Sequence, residues 1–167
     1  MIVVATGTNG KPFDRLLRAV AALQTDEELV VQYGPSSIRC AGATCVETLP
    51  FRVYGELVAR ARVVVTHAGV GSILVALMGG ARPVVAPRLS AHGEAVDDHQ
   101  LELARRLESL GLATVVTDMA DLRAAISRGS GESQVALAGG GPALAGDVGG
   151  FLREVLSKRR SVAGVRT

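Results

Sequence analysis

The chain has 167 residues, the size of one ordinary domain and enough to bury a core without disulfides or structural metal. Hydrophobic residues make up 48% of it, but with only two Tyr, three Phe and no Trp the core must be Val, Leu, Ala and Ile. That mix suits parallel strands covered by helices, and a net charge of +2 without a basic, aromatic-interleaved patch argues against a nucleic-acid partner. Cys40 and Cys45 form neither a CxxC pair nor a cluster with histidines, so free thiols in a reducing cytoplasm are expected. The opening "MIVVATGTNG" enters an apolar strand directly, so neither a signal peptide nor a membrane span is expected. Contact with the inner face of a membrane would then run through a partner.

In chain order, a strand is predicted over 2–6 and a helix over 13–24, with Phe13, Leu16, Leu17, Val20, Ala21 and Leu23 tracing one apolar side. A second strand over 29–33 closes on "GPSS", and a short third covers 44–48. Pro50 precedes a helix over 51–61, in which Phe51, Tyr54, Leu57, Val58 and Ala61 keep helical spacing. A strand over 62–66 leads to a helix over 72–78 ended by Gly79 and Gly80, and Pro87 stops a fifth strand over 83–86. A helix over 97–110 places Leu101, Ala104, Leu107 and Leu110 on one face, with Gly111 as its C-terminal cap. A sixth strand over 113–117 and a helix from Asp118 or Met119 to about Arg128 complete a domain over 1–128. The Gly- and Ala-rich stretch 129–150 reads as a flexible linker. The final segment, 151–167, holds a helix, "FLREVLSKRR", and a tail. Its Lys158, Arg159 and Arg160 fit either dipole-matched charge at a helix end or contact with a partner or an anionic surface.

This alternation predicts an α/β fold, a Rossmann-like doubly wound parallel sheet of about six strands with helices on both faces. The commonest winding sets the first and fourth strands side by side, so their carboxyl ends open on one crevice. One end carries "TGTNGK" (6–11) and the other "THAGVGS" (66–72). Both turns bear glycines and lead into helices, so each can offer unpaired N–H groups to an anion, and together they could hold a diphosphate. Gly69 and Gly71 allow close approach, Ser72 adds a hydroxyl, and His67 can donate a hydrogen bond. The same residues also fit a plain turn whose histidine bonds a neighbouring carbonyl. Neither GxGxxG nor GxxxxGK[ST] occurs, and the second strand ends "VVQYG" without an acidic residue, which argues against NAD and ATP.

A third polar stretch, "PRLSAHGEAVDDHQLELA" (87–104), gathers His92, Glu94, Asp97, Asp98, His99 and Gln100 at the same edge. Its acids fit helix capping and a solvated loop, while two histidines and a glutamine suit hydrogen-bonding of several hydroxyls. HxE with a distant DH lacks a helical HExxH or a third spaced ligand, so no metal is expected.

Four segments carry a resemblance: "VATGTNGKPFDRLL", "HAGVGSILVAL", "PVVAPR" and "HGEAVDDHQLELARRLESLG". They resemble the nucleotide-sugar half of glycosyltransferases with two-Rossmann (GT-B) architecture, of the family 28 C-terminal-domain type. The length is similar to that of a free-standing half, like the catalytic subunit of the two-component UDP-GlcNAc transferase or bacterial exopolysaccharide transferase subunits.

The resemblance implies a UDP-sugar donor as substrate, no cofactor and no metal. His67 and the backbone of Ala68, Gly69, Val70, Gly71 and Ser72 would hold the diphosphate, with Gly7, Thr8 and Asn9 closing from the other side. Backbone near Leu49 and Phe51 would read the uracil edge. Gln100, helped by His99, would bond the sugar hydroxyls, and Arg88 and His92 would join the donor site. His67, His99 and Gln100 would be the residues of this chain nearest the chemistry, transfer of a hexose or N-acetylhexosamine with inversion to a lipid-linked or polysaccharide acceptor. Relatives often carry a ribose-binding Glu three residues after the serine of HAGxGS; here that position is Val75. The general base and acceptor groove would lie on a membrane-associated partner, with the 151–160 helix as a contact. Two other readings are a nucleotide-binding regulatory half without transfer activity and a UDP-sugar epimerase-like enzyme, although epimerases carry both halves in one longer chain.

Overall fold

In a computed structural model the described residues are 1–129. Apart from Gly129, the linker expected over 129–150 lies outside the described residues, as do the helix and tail expected over 151–167 with Lys158, Arg159 and Arg160.

The elements follow one another as β1 (Ile2–Ala5), α1 (Asp14–Ala21), β2 (Leu29–Gln32), β3 (Thr44–Val46), α2 (Phe51–Arg60) and β4 (Val63–His67). Then come α3 (Val70–Met78), β5 (Val84–Ala86), α4 (His99–Ser109), β6 (Thr114–Val115) and α5 (Leu122–Arg128). Short 3-10 turns occupy Ser90–His92 and Met119–Asp121. The sheet order is β3-β2-β1-β4-β5-β6, and every pairing is parallel.

β1 therefore lies between β2 and β4, with Ala5 opposite Gln32 on one side and Thr66 on the other. This is the expected adjacency of the first and fourth strands, and it brings both glycine turns to one edge.

The strands are uninterrupted apolar runs because both faces of the sheet are covered. On one face Ile2, Val4, Val31, Val63 and Val65 pack with Phe13, Leu16, Leu17 and Val20 of the α1 region and with Leu122, Ala125 and Ile126 of α5. On the other, Val3, Ala5 and Val64 meet Tyr54 and Val58 of α2 and Val75 and Ala76 of α3. The alternation of side chains along each strand distributes its residues between these two layers.

Element ends differ from the sequence expectation for local reasons. α1 stops at Ala21 instead of 24 because its last turn tightens, with the Leu23 N–H donating to the Val20 carbonyl at 3.1 Å. α3 begins at Val70 rather than 72, since extended Gly69 caps it and accepts from the Ile73 N–H at 3.0 Å. α4 begins at His99 rather than 97 because the two aspartates serve as turn acceptors. Asp97 Oδ1 accepts from the His99 N–H at 3.2 Å and Asp98 Oδ1 from the Ser90 N–H at 2.9 Å. The predicted cap of α4 is present: Gly111 has φ +69°, its N–H reaches Glu108 O, and the Leu112 N–H reaches Leu107 O.

At the opposite, amino edge of the strands, Arg62 grips Glu27 through both carboxylate oxygens, with Nε to Oε2 at 2.8 Å. The Arg62 guanidinium holds the Glu27 carboxyl down to about 2 from its ordinary 4.5. The folded state therefore binds that proton less readily than the unfolded chain. This contribution to stability is complete above about pH 4.5 and drains away as the pH falls toward about 2. Denaturant melts across that range should show the loss in the native protein and a flatter acid limb in Glu27→Gln.

Candidate functional site

The carboxyl edge is organised around His67, the last residue of β4. Its ring occupies a slot between Gly7 and Gly69. A Cβ added at Gly7 would sit 2.3 Å from His67 Nε2, and one at Gly69 would sit 2.0 Å from Cε1. Gly7 also has φ +80°, a backbone region that L side chains avoid. The two glycines are thus required by the imidazole, and through it the turns after β1 and β4 touch.

His67 Nε2 lies 3.2 Å from Ser72 Oγ, while Nδ1 is buried and lacks a hydrogen-bond partner among the described residues. Burial, then the positive charge of Arg88, push the imidazole from its ordinary 6.5 down to about 4, and the adjacent Gln100 amide opposes them. The ring is therefore neutral at pH 7.

Beside it, α3 starts at Val70 without any side-chain cap. The N–H groups of Val70, Gly71 and Ser72 lie in the first turn, where a helix supplies no acceptors of its own and its dipole is positive. A Cβ at Gly71 would meet nothing within 4 Å, so this glycine faces open space. Ala68, by contrast, is buried.

On the other side of the slot, the Gly7 peptide is held by the buried amide of Gln32. The Gly7 N–H donates to Oε1 at 2.8 Å, and Nε2 donates to Gly7 O at 2.9 Å and Glu47 O at 3.0 Å. This corrects the expected role of Gly7: its N–H is already engaged, and it supplies room for His67 instead. Thr8 and Asn9 are exposed in the turn, and Asn9 Oδ1 accepts from the Lys11 N–H at 3.0 Å.

Arg88 also needs correction as a ligand-facing residue, because it has no exposed surface. Nη1 donates to Lys11 O at 2.9 Å and more weakly to Pro12 O and Glu94 O, while Nη2 donates to Thr6 O at 2.9 Å. Phe13 lies 4.7 Å away with its ring facing the guanidinium. Glu94, 5% exposed, is gripped by Arg15 through Nε to Oε1 at 3.1 Å and Nη2 to Oε2 at 3.0 Å. Arg15 further bonds Pro87 O and Thr117 O.

The polar stretch after β5 divides in two. Gln100 turns inward, its Oε1 accepting from the Arg88 N–H at 3.1 Å, beside His67. His99 turns outward, with Nδ1 2.8 Å from Asp97 Oδ1, and His92 is exposed in its 3-10 turn; neither joins the His67 cluster. Phe51 opens α2 and is 71% exposed, while Leu49 packs against the α2/α3 core. Val75 is buried in that same core with Tyr54 and Val64, so a ribose-binding carboxylate is missing for a packing reason as well as by sequence. Among the described residues, no group of three His, Cys, Asp or Glu side chains is arranged to hold a metal ion, and no helix is long and apolar enough to cross a membrane.

Gln32, Arg15 and Glu94 carry more of this edge than the sequence suggested. A glutamine ending the otherwise apolar run "LVVQ" and the place of Glu94 in the polar stretch after β5 were the visible signals. The partners of Arg15 lie too far along the chain for any spacing rule to find.

Residues 1–138 match the model of the glycosyltransferase family 28 C-terminal domain. No curated protein sequence matches. Among solved structures, the glycosyltransferase of kitacinnamycin is 24% identical with a TM-score of 0.54 and is matched over 94% of this chain. A calicheamicin glycosyltransferase is 20% identical with a TM-score of 0.55 over 93% of this chain. These are likenesses of fold, and this chain spans only 40% and 38% of the two enzymes' lengths.

The His67 environment sets a second acid window, above that of Glu27. The unfolded chain takes up the imidazole proton near 6.5 and the folded protein only near 4, so stability is full above about pH 6.5 and declines toward pH 4. The loss is on the order of 3 kcal/mol at most. Unfolding free energies between pH 7 and 4 should fall in the native protein and stay nearly level in His67→Gln; parallel curves would contradict the enclosed neutral ring.

Proposed function

The chain belongs to the glycosyltransferase family 28 C-terminal domain family, and from that premise we propose that it is the donor-binding and catalytic part of a metal-independent UDP-sugar glycosyltransferase. It transfers a hexose or N-acetylhexosamine to a lipid-linked or polysaccharide acceptor. The observation that carries this reading is the His67 slot. A half-buried imidazole whose Nδ1 is enclosed stands between two glycine turns, beside the uncapped first turn of α3.

In this reading the donor diphosphate lies over Val70, Gly71 and Ser72, whose N–H groups and helix dipole stabilise it without a cation. The His67 ring donates from one nitrogen, and Thr8 and Asn9 approach from the β1 side. The first turn of α2, at Phe51, lies at the same edge and is open to the base. The Gln100 side-chain oxygen is already engaged by the Arg88 N–H, so its contribution to a sugar hydroxyl is its NH₂ group.

Transfer requires an acceptor hydroxyl to attack the anomeric carbon as the bond to the UDP oxygen breaks, with inversion. Charge then develops on the leaving diphosphate, where the preorganised N–H groups act most strongly. A base must take the hydroxyl proton. His67, held near 4, is a weak base at pH 7. The outward His99 is already engaged with Asp97. We therefore assign the base and the acceptor groove to a partner, membrane-associated protein that closes over this edge.

Calorimetry with UDP, GDP and ADP tests the site. UDP should bind at least about tenfold more tightly than the other two. His67→Ala should weaken UDP about 10- to 150-fold, the loss of one hydrogen bond of roughly 1.5–3 kcal/mol to a charged group. Gly71→Ala is the sharper variant: it adds a methyl into open space at a helical position, so Tm should hold or rise while UDP affinity drops. Native-like UDP affinity in both variants would defeat the assignment.

A further inference from the structure

Arg88 is a charged side chain buried where a hydrophobe of similar volume would fill the space more cheaply. Its place in the fold points to something beyond packing. The side chain leaves the end of β5 and runs beneath the turn that follows β1. There it draws inward the carbonyl oxygens of Thr6, Lys11 and Pro12, on one side of the proposed phosphate site. Carbonyls turned toward a guanidinium are negative ends turned away from an approaching anion. An ammonium could not serve them all at once, because only the planar fork spans several acceptors in fixed directions.

The local charge also fails to cancel. Arg15 holds Glu94 by a bidentate pair, and Arg88 meets the same residue only through its main-chain oxygen. Two guanidiniums thus share one carboxylate, leaving one positive charge beneath the cleft, shielded from water and so weakly screened. We propose that Arg88 is a positioning residue for the phosphate end of the donor: it shapes the turn over 6–12 from below and charges the cleft floor without touching the ligand. This rests on the anion-binding reading of the cleft.

His67 reports on this charge directly. Arg88 is the charged group that acts on the ring, and Ser72 and Gln100 are the polar ones. The depression of the imidazole pKa includes an Arg88 contribution, second to burial.

The full chain should be compared with Arg88→Met, Arg88→Lys and Glu94→Gln, following the NMR titration of His67 without ligand and the affinities for UDP and for uridine. In Arg88→Met the His67 midpoint should rise by about half a unit or more, and UDP should lose at least about tenfold while uridine changes less than about twofold. Arg88→Lys should keep the midpoint near that of the native protein but still weaken UDP, since charge remains and the fork is lost. Glu94→Gln keeps the fork and removes the counter-charge, so it should raise the preference for UDP over uridine by about threefold.

An unmoved His67 midpoint in Arg88→Met, or equal losses for UDP and uridine, would make Arg88 a core strut and nothing more. Should Arg88→Met fail to fold, Glu94→Gln decides alone, and a preference that stays level or drops overturns the proposal. A native protein that binds no UDP refutes the reading of the site itself, whereas the His67 midpoints report on the Arg88 charge independently of any ligand.

Discussion

A guanidinium removed from water loses several kcal/mol of hydration unless oxygen acceptors replace it. Arg88 finds those acceptors for its two Nη atoms in main-chain carbonyls from the end of β1, from the turn before α1 and from the loop before α4, while its buried Nε has no partner among the described residues. None of these segments can drift without stranding a buried charge. The requirement reaches further than the four bonds, because Phe13 lies against the Arg88 and Arg15 guanidiniums and is itself wholly buried. One charged side chain therefore fixes both the loop geometry above the sheet and the packing at the start of α1.

The remaining strand ends are joined by the same kind of device. Gln32 links the ends of β1, β2 and β3 through Gly7 and Glu47. His67 links β4 to α3 through Ser72, and Gln100 ties α4 to the residue that follows β5. Arg15 spans from α1 to the carbonyls after β5 and β6. The carboxyl edge is thus a stitched rim of polar side chains: Gln32, Gln100 and Arg15 bond backbone that the short parallel strands leave unpaired at their ends, and His67 meets the Ser72 hydroxyl. For the proposed anion, a rim held this way would need little rearrangement, which is the condition for helix-end N–H groups to act at full strength.

The fold was legible because its signals are local. Unbroken Val and Ile runs announce strands buried on both faces, glycines and prolines punctuate them, and the winding rule alone places β1 beside β4. Element ends were less legible because they depend on single hydrogen bonds, such as the Asp97 and Asp98 contacts that delay α4. The sequence drew attention to the candidate site at "HAGVGS", yet Gly7, Gly69 and Arg88 do different work from that expected. Gly69 and Gly71 look alike in sequence, but Gly69 accommodates the His67 ring whereas Gly71 borders open space. Arg88 was expected to join the donor site, yet its partners include carbonyls 77 and 82 residues away along the chain, beyond any spacing pattern. Long-range partners decide such roles, and only the folded chain reveals them.

Position 75 shows how the core limits what the cleft can offer. Val75 packs among Tyr54, Val58 and Val64, where burial already pushes the Tyr54 hydroxyl up to about 12. A carboxylate at the same place would meet similar surroundings, rise in pKa and lose the charge that makes it a strong acceptor for ribose hydroxyls. The apolar residue and the absent ribose contact are therefore one choice rather than two. For the proposed donor, this leaves the base edge near α2 and the phosphates near His67 as the parts of the nucleotide that this chain could distinguish.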